Sequence, residues 1–94
     1  MRLKENEKQV IIQAVKSIDP QAHLYLFGSR VDDSRKGGDI DILIFSDKMN
    51  YDNKLNIKKD IFTVIEEQKI DLFVSKDRDE PFVQMVLEQG IQLA

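Results

Sequence analysis

Residues 26–44, LFGSRVDDSRKGGDIDILI, decide how this chain is interpreted. They begin inside an apolar and aromatic run, residues 22–27, that is typical of a buried strand. The run stops at Gly28-Ser29, and a polar, charged segment follows. Residues 39–45, DIDILIF, then predict a second strand. The stretch is therefore interpreted as strand, polar loop and strand, with a glycine at the first junction and aspartates in the second strand.

The aspartates of the second strand are the strongest chemical anomaly in the sequence. Asp39 and Asp41 are two positions apart, so their carboxylates lie on the same face, between isoleucines that face a core. Like charges in such a setting repel each other and resist the loss of water, so we expect a positive group to offset them. A lysine or arginine would do this, but paired hard oxygen ligands suit magnesium better. Asp71 repeats the arrangement in a third predicted strand, residues 69–74, and would join the pair if the two strands are neighbours.

The Gly28-Ser29 junction predicts a phosphate site. A strand that ends there and turns into a helix presents backbone N–H groups and a hydroxyl at a helix N-terminus. Glycine also lets the backbone approach a ligand closely. A lone Gly-Ser pair is usually a simple turn, and a lone aspartate at the start of a strand is usually a turn or cap residue. The prediction depends on their combination.

The rest of the chain predicts an α/β fold, a small mixed sheet with helices packed on it. Helical spacing of apolar residues and the positions of proline and glycine give the helices. The predicted order is a helix over residues 3–18, a strand over 22–27, a short helix from 29, a strand over 39–45, a helix over 53–68, a strand over 69–74, a helix from about 79 to 90 and a tail strand near 91–93.

Length and composition favour one small globular domain, residues 1–94. The chain is 41% hydrophobic and 33% charged, an ordinary balance for a folded protein, and its thin core makes a homo- or hetero-oligomer expected. The net charge of -3 does not favour direct binding of nucleic acid. Without cysteine, disulfides and thiolate chemistry are excluded. The polar N-terminus and the short apolar runs predict no signal peptide and no membrane span, so we expect a cytoplasmic protein.

The combination in residues 26–44 resembles the signature of the polymerase β-like nucleotidyltransferases. That signature is a Gly-Ser, a spacer, an Asp-x-Asp and a third aspartate on a later strand. The short length and the Gly-Ser-Arg form are similar to the minimal nucleotidyltransferase (MNT) group, and the similarity runs across nearly the whole chain. The spacer after Ser29 is slightly shorter than the commonest MNT form and carries Asp32 and Asp33, where a small residue is usual. Neither departure removes a catalytic group.

The resemblance implies a role for each residue of the motif. It implies nucleotide-binding roles for Gly28, Ser29 and Arg30, and catalytic, metal-binding roles for Asp39, Asp41 and Asp71. The glycine and serine would hold the β and γ phosphates of ATP, and the first two aspartates would bind two Mg²⁺ ions that bridge the triphosphate. The third aspartate would complete the metal site and help to deprotonate the acceptor hydroxyl, as in two-metal displacement at phosphorus.

The acceptor is also implied by the resemblance. Larger relatives add a domain that grips the acceptor, and 94 residues leave no room for one. Proteins resembling this chain are commonly paired with a small helical HEPN protein in toxin–antitoxin modules, where the MNT antitoxin transfers AMP to a tyrosine of the HEPN toxin. Adenylylation of such a partner is therefore the first hypothesis. A non-catalytic, nucleotide-binding antitoxin that acts by occlusion is the alternative, and transfer to a small molecule such as an aminoglycoside ranks third.

Overall fold

The computed structural model describes residues 4–28, 40–62 and 70–94. Within them the elements, in chain order, are α1 (Glu5–Lys16), β1 (His23–Phe27), β2 (Ile40–Phe45), α2 (Tyr51–Phe62), β3 (Ile70–Ser75), α3 (Pro81–Gln89) and β4 (Ile91–Gln92). Their types and order agree with the predicted α/β pattern. The predicted short helix from residue 29 lies outside the described residues, as do the predicted helical residues 63–68 and the first residue of the second and third predicted strands.

Local hydrogen bonds explain where two helices begin. α2 begins at Tyr51, two residues before the predicted start near residue 53, and Asn50 caps the helix. Its side-chain oxygen accepts from the Asn53 N–H at 2.9 Å, and the Asn53 side chain accepts from the Asn50 N–H at 3.0 Å. At α1, the Glu7 carboxylate accepts the Lys4 N–H at 3.0 Å.

In the described part of the chain, the helices are too short or too polar to cross a membrane.

The four strands form one mixed sheet in the order β3-β2-β1-β4. β1 is antiparallel to both β2 and β4, whereas β2 and β3 are parallel. A parallel pair needs a crossover connection, and α2 lies in it. The register pairs Phe27 with Asp41 and Asp41 with Asp71. The end of β1 and the beginnings of β2 and β3 therefore lie together at one end of the strands.

The two faces of the sheet are covered unequally. One face packs on α1 and α2 and holds the main core, to which the alternating isoleucines of β2 contribute. The buried apolar residues of this core are Ile11, Ala14, Val15, Ala22, Leu24, Leu26, Ile40, Ile42, Ile44, Ile57, Ile61, Ile70, Leu72 and Leu93. The other face packs on α3 through a smaller cluster, Phe27, Leu43, Val83 and Val86. Asp41 and Asp71 lie on this second, less covered face.

Candidate active site

Asp41 and Asp71 lie opposite each other on neighbouring parallel strands. Neighbouring strands are about 4.8 Å apart, and residues paired in register project to the same face. Each aspartate follows an isoleucine that is almost fully buried on the opposite face, Ile40 and Ile70. Both aspartates are themselves half-buried. β2 and β3 are thus neighbours, which was the condition for Asp41 and Asp71 to come together. The two like-charged side chains lie side by side at one end of the strands.

Gly28 brings the backbone against one of these carboxylates. It has a φ of 79°, in the left-handed region that favours glycine. A Cβ atom at this position would collide with the Oδ2 of Asp41 and lie only 3.3 Å from its Cγ. No larger residue fits here unless the Asp41 side chain moves. The turn that ends β1 and the first aspartate of the described site therefore form one packed unit.

Three predicted site residues, Ser29, Arg30 and Asp39, lie outside the described residues. The described part of the predicted site is the glycine of the turn and the two aspartates in register. Asp39 directly precedes Ile40, the first residue of β2. Its assignment, like those of Ser29 and Arg30, stays a prediction.

The chemistry of the donor set fits a hard divalent cation. Carboxylate oxygens are the ligands that Mg²⁺ prefers, and Mg²⁺ keeps several of its waters when one or two carboxylates hold it. Asp41 and Asp71 are half-buried, so part of each residue is accessible to such waters. Over residues 4–28, 40–62 and 70–94 there is no group of three or more metal-binding side chains. In that part of the chain the candidate ligands are therefore the pair Asp41 and Asp71.

An aromatic cluster lies beside the carboxylates. Phe27, Phe73 and Phe82 contact one another with ring centroids 5.4–5.5 Å apart. Phe73 is two residues beyond Asp71 and shares its face of β3. The sequence analysis assigned no role to Phe73 or Phe82. The pattern Asp-x-Phe in a strand, followed by an aromatic residue in the first turn of a helix, was the available signal.

The opposite end of the sheet holds an aspartate in a very different setting. Asp19 is 2% exposed, and its carboxylate accepts from the Ser46 hydroxyl at 2.5 Å and from the Gln21 N–H at 3.0 Å. The Ser46 hydrogen bond is the main cause that lowers the pKa of Asp19 below its ordinary value. A cleft of about 260 Å³ opens here and is lined in part by His23 and Phe45. Sequence reasoning did not identify this pair, whose members are 27 positions apart.

The match to a known family covers most of the chain. Residues 9–94 match the model of the family "Polymerase beta, Nucleotidyltransferase". The chain belongs to this family. The predicted resemblance to polymerase β-like nucleotidyltransferases is thereby confirmed. Among proteins of curated function, none matches the sequence.

Solved structures share the fold of this family member. One is a tri-AMPylated HEPN toxin of Shewanella oneidensis in complex with an MNT antitoxin, where the likeness has a TM-score of 0.71 at 22% identity and covers 96% of this chain and 71% of that chain. Another is a mutant toxin–antitoxin complex, MntA–HpeT, with two Asp-to-Glu substitutions. Its TM-score is 0.73 at 21% identity, and the match covers 93% of this chain and 71% of that one. At such identities the likeness establishes the fold.

Proposed function

We propose that this protein is a magnesium-dependent nucleotidyltransferase that transfers AMP from ATP to a hydroxyl group, a tyrosine of a HEPN partner toxin, and so acts as an antitoxin. The observation that carries the proposal is the pairing of Asp41 with Asp71 in register, with the Gly28 backbone packed against Asp41. Two adjacent carboxylates beside a glycine turn supply what a metal-bound triphosphate needs, namely negative oxygen ligands and a close backbone.

Each residue of the motif has a role in this proposal. Asp39, Asp41 and Asp71 would hold Mg²⁺, which neutralises charge on the attacking and leaving oxygens when bound. Gly28, Ser29 and Arg30 would bind the β and γ phosphates. The turn at Gly28 and the carboxylate of Asp41 are in contact, which supports a common ligand for both.

Asp71 is proposed to handle the proton of the reaction. Its carboxylate would accept the proton of the acceptor hydroxyl, the acceptor oxygen would form a bond to the α-phosphorus of ATP, and the bond to pyrophosphate would break. Proton transfer by a positioned carboxylate contributes roughly 10²- to 10⁴-fold to such rates. The position of Asp71 at the edge of the described sheet, on the side away from β1, supports access for an acceptor from outside.

The partner is proposed from the complexes that share the fold. Both solved structures are toxin–antitoxin complexes, and the toxin of one is a tri-AMPylated HEPN protein bound to an MNT antitoxin. This supports a HEPN protein as the acceptor.

Intact mass spectrometry tests the proposal. The purified protein is incubated with Mg²⁺, ATP and the HEPN protein encoded beside it, and the masses of both chains are recorded. We expect the HEPN protein to gain one or more AMP units. The gain should disappear in the Asp39→Asn, Asp41→Asn double variant and persist in Asp52→Asn, which removes an exposed carboxylate from α2.

A different result of this experiment would favour a non-catalytic antitoxin that acts by occlusion. If no common nucleoside triphosphate modifies the partner, while the wild type and the double variant bind and silence the toxin equally, catalysis is not the function. The chain would then be a binding antitoxin built on a transferase fold.

A further inference from the structure

The aromatic cluster spans β2 beside the candidate metal ligands. Phe27 and Phe73 belong to β1 and β3, which lie on either side of β2. Two strands separated by a third are about 10 Å apart, yet the ring centroids of Phe27 and Phe73 are only 5.5 Å apart. The two rings therefore reach toward each other over β2, and Phe82 of α3 contacts both of them at 5.4 Å. The pair Phe27 and Phe73 is called the ring bridge below.

The register of the strands places the ring bridge next to Asp41. Phe27 is paired with Asp41, and Phe73 is paired with Leu43, two residues further along β2 on the same face. Leu43 is fully buried and belongs to the same apolar cluster as Phe27. The ring bridge therefore covers Leu43 and borders Asp41 on the side of the strand interior.

Asp41 is confined between the ring bridge and the turn that ends β1. A Cβ atom on Gly28 would collide with the Oδ2 of Asp41, so the backbone lies against the carboxylate on that side. Asp71 is the partner of Asp41 on β3, and Phe73 follows Asp71 by two residues on the same face. Uncharged groups, the rings and the glycine backbone, thus limit how the carboxylates can turn.

We infer that the ring bridge is a positioning element for the metal ligands. Phe27 and Phe73 hold the carboxylates of Asp41 and Asp71 toward a shared Mg²⁺ and keep water away from them on the side of the strand interior. The inference rests on the proposed function and adds to it two residues that do not touch the metal.

The physical basis is the control that apolar surroundings exert on a metal site. Apolar groups around metal ligands set the access of solvent and the local dielectric. Ligands whose orientation is fixed by packing also hold a site in its productive geometry. A low dielectric strengthens the repulsion between Asp41 and Asp71, and a bound cation relieves that repulsion. Loss of the ring bridge should therefore weaken metal binding.

Phe73 is the residue at which the ring bridge can be tested with the smallest loss of stability. Its side chain is 40% exposed, whereas that of Phe27 is 9% exposed. The free energy of burial scales with the apolar area removed from water, so an exposed ring contributes less to the core than a buried one. Its exposure also allows a tyrosine at this position to direct its hydroxyl to solvent.

Binding of the Mg²⁺ complex of inorganic tripolyphosphate tests the ring bridge, because this probe carries neither a nucleobase nor an acceptor. Its dissociation constant is measured by calorimetry for the wild type, Phe73→Leu and Phe73→Tyr. We expect Phe73→Leu, which removes the ring, to weaken binding about tenfold or more, as changes around metal ligands typically do. Phe73→Tyr keeps the ring and should bind the probe nearly as tightly as the wild type does.

The matched control for stability is Val86→Ala. Val86 is fully buried in the same cluster as Phe27 but is not an aromatic member of it. The substitution removes buried apolar volume, so the melting temperature should fall, while the probe should bind as it does to the wild type.

The dependence of AMP transfer on Mg²⁺ provides a second readout. Phe73→Leu should need about ten times more Mg²⁺ than the wild type for half-maximal transfer. KM for the acceptor protein should be unchanged, because the ring bridge acts on the metal ligands.

Three outcomes would overturn the inference. If Phe73→Leu binds the probe as tightly as the wild type does, the ring bridge does not position the ligands. If it weakens only a non-hydrolysable ATP analogue and not the probe, Phe73 contacts the nucleobase. If Val86→Ala weakens the probe as much as Phe73→Leu does, a general loss of stability is the cause. In contrast, a wild type that binds the probe through the ring bridge but transfers no AMP contradicts only the proposed function.

Discussion

The aspartates at the two ends of the strands differ in burial and in the groups that surround them. At one end Asp19 is almost fully buried, and neutral donors, the Ser46 hydroxyl and the Gln21 N–H, satisfy its carboxylate. At the other end Asp41 and Asp71 are half-buried and stand side by side in register. Hydrogen bonds to neutral donors explain a structural carboxylate, whereas adjacent carboxylates repel each other and favour a cation between them. The comparison distinguishes an aspartate whose hydrogen bonds stabilise the fold from two aspartates that we propose bind a metal ion.

The largest expected effect comes from Asp71→Asn. It should lower kcat/KM for AMP transfer by roughly 10²- to 10⁴-fold, because the proton acceptor is removed. The melting temperature should fall less than in Asp19→Asn, because the substitution also removes the repulsion between two adjacent negative charges. Steady-state kinetics and thermal unfolding check both parts. The matched control is Asp19→Asn, which should lower the melting temperature and retain transfer; the opposite pattern would mean that Asp71 is the structural carboxylate.

Gly28→Ala should have the next largest effect. A left-handed φ at a non-glycine residue costs about 1–3 kcal/mol, and the new methyl group would displace the Asp41 carboxylate. Denaturant unfolding should show this loss of stability, and transfer should fall as well. In an Asp41→Ala background the same substitution should cost less, because the collision is gone. Equal costs in both backgrounds would show that Gly28 and Asp41 are not coupled.

Ser46→Ala should lower stability by a smaller amount and leave transfer intact. The Ser46 hydroxyl lowers the pKa of Asp19, so this hydrogen bond stabilises the fold when Asp19 is ionised. The contribution is fully present above about pH 4, the pKa of an unperturbed aspartate, and is lost as the pH falls through the lowered pKa of the folded state. Unfolding measured between pH 7 and pH 2 should show the wild type and the variant converging at the acid end. A difference that persists there would assign the effect to packing.

Arg78→Ala should have the smallest effect of the series. Its guanidinium carbon is 4.5 Å from the centre of the Phe45 ring, and an exposed contact of this kind contributes about 0.5–1 kcal/mol. Denaturant unfolding should detect that loss, with transfer unaffected. Arg78→Lys should retain part of the stability, because a cation remains near the ring. A loss of AMP transfer in either variant would mean that the end of the sheet near Asp19 also contributes to catalysis. That result would contradict the functional difference between the two ends.

Period-two alternation made the faces of β2 predictable. Ile40, Ile42 and Ile44 are fully buried on one face, and Asp41 lies on the other, as the pattern DIDILIF indicated. The same alternation in residues 69–74, KIDLFV, puts Asp71 and Phe73 on one face of the strand. These positions were predictable because successive side chains of a strand point to opposite faces, so burial of the isoleucines on one face places the residues between them on the other.

Long-range pairing was beyond the sequence pattern. The alternation in β2 and β3 does not state that the strands are parallel or that Asp41 pairs with Asp71, since register depends on the crossover through α2. The Ser46–Asp19 hydrogen bond joins distant segments that no local spacing connects. The start of α2, in contrast, is a local feature, because Asn50 and Asn53 have the spacing of a capping box.

The most direct test of the central claim is nucleotide-induced stabilisation with and without Mg²⁺. The melting temperature is measured with a non-hydrolysable ATP analogue for the wild type, Asp41→Asn and Asp19→Asn. A ligand at a hundred times its dissociation constant stabilises a fold by about 2.7 kcal/mol. We predict that the wild type and Asp19→Asn are stabilised only when Mg²⁺ and the analogue are both present, and that Asp41→Asn is not stabilised. Equal stabilisation of Asp41→Asn, or none of the wild type, would contradict the assignment of Asp41 and Asp71 as the metal-dependent nucleotide site.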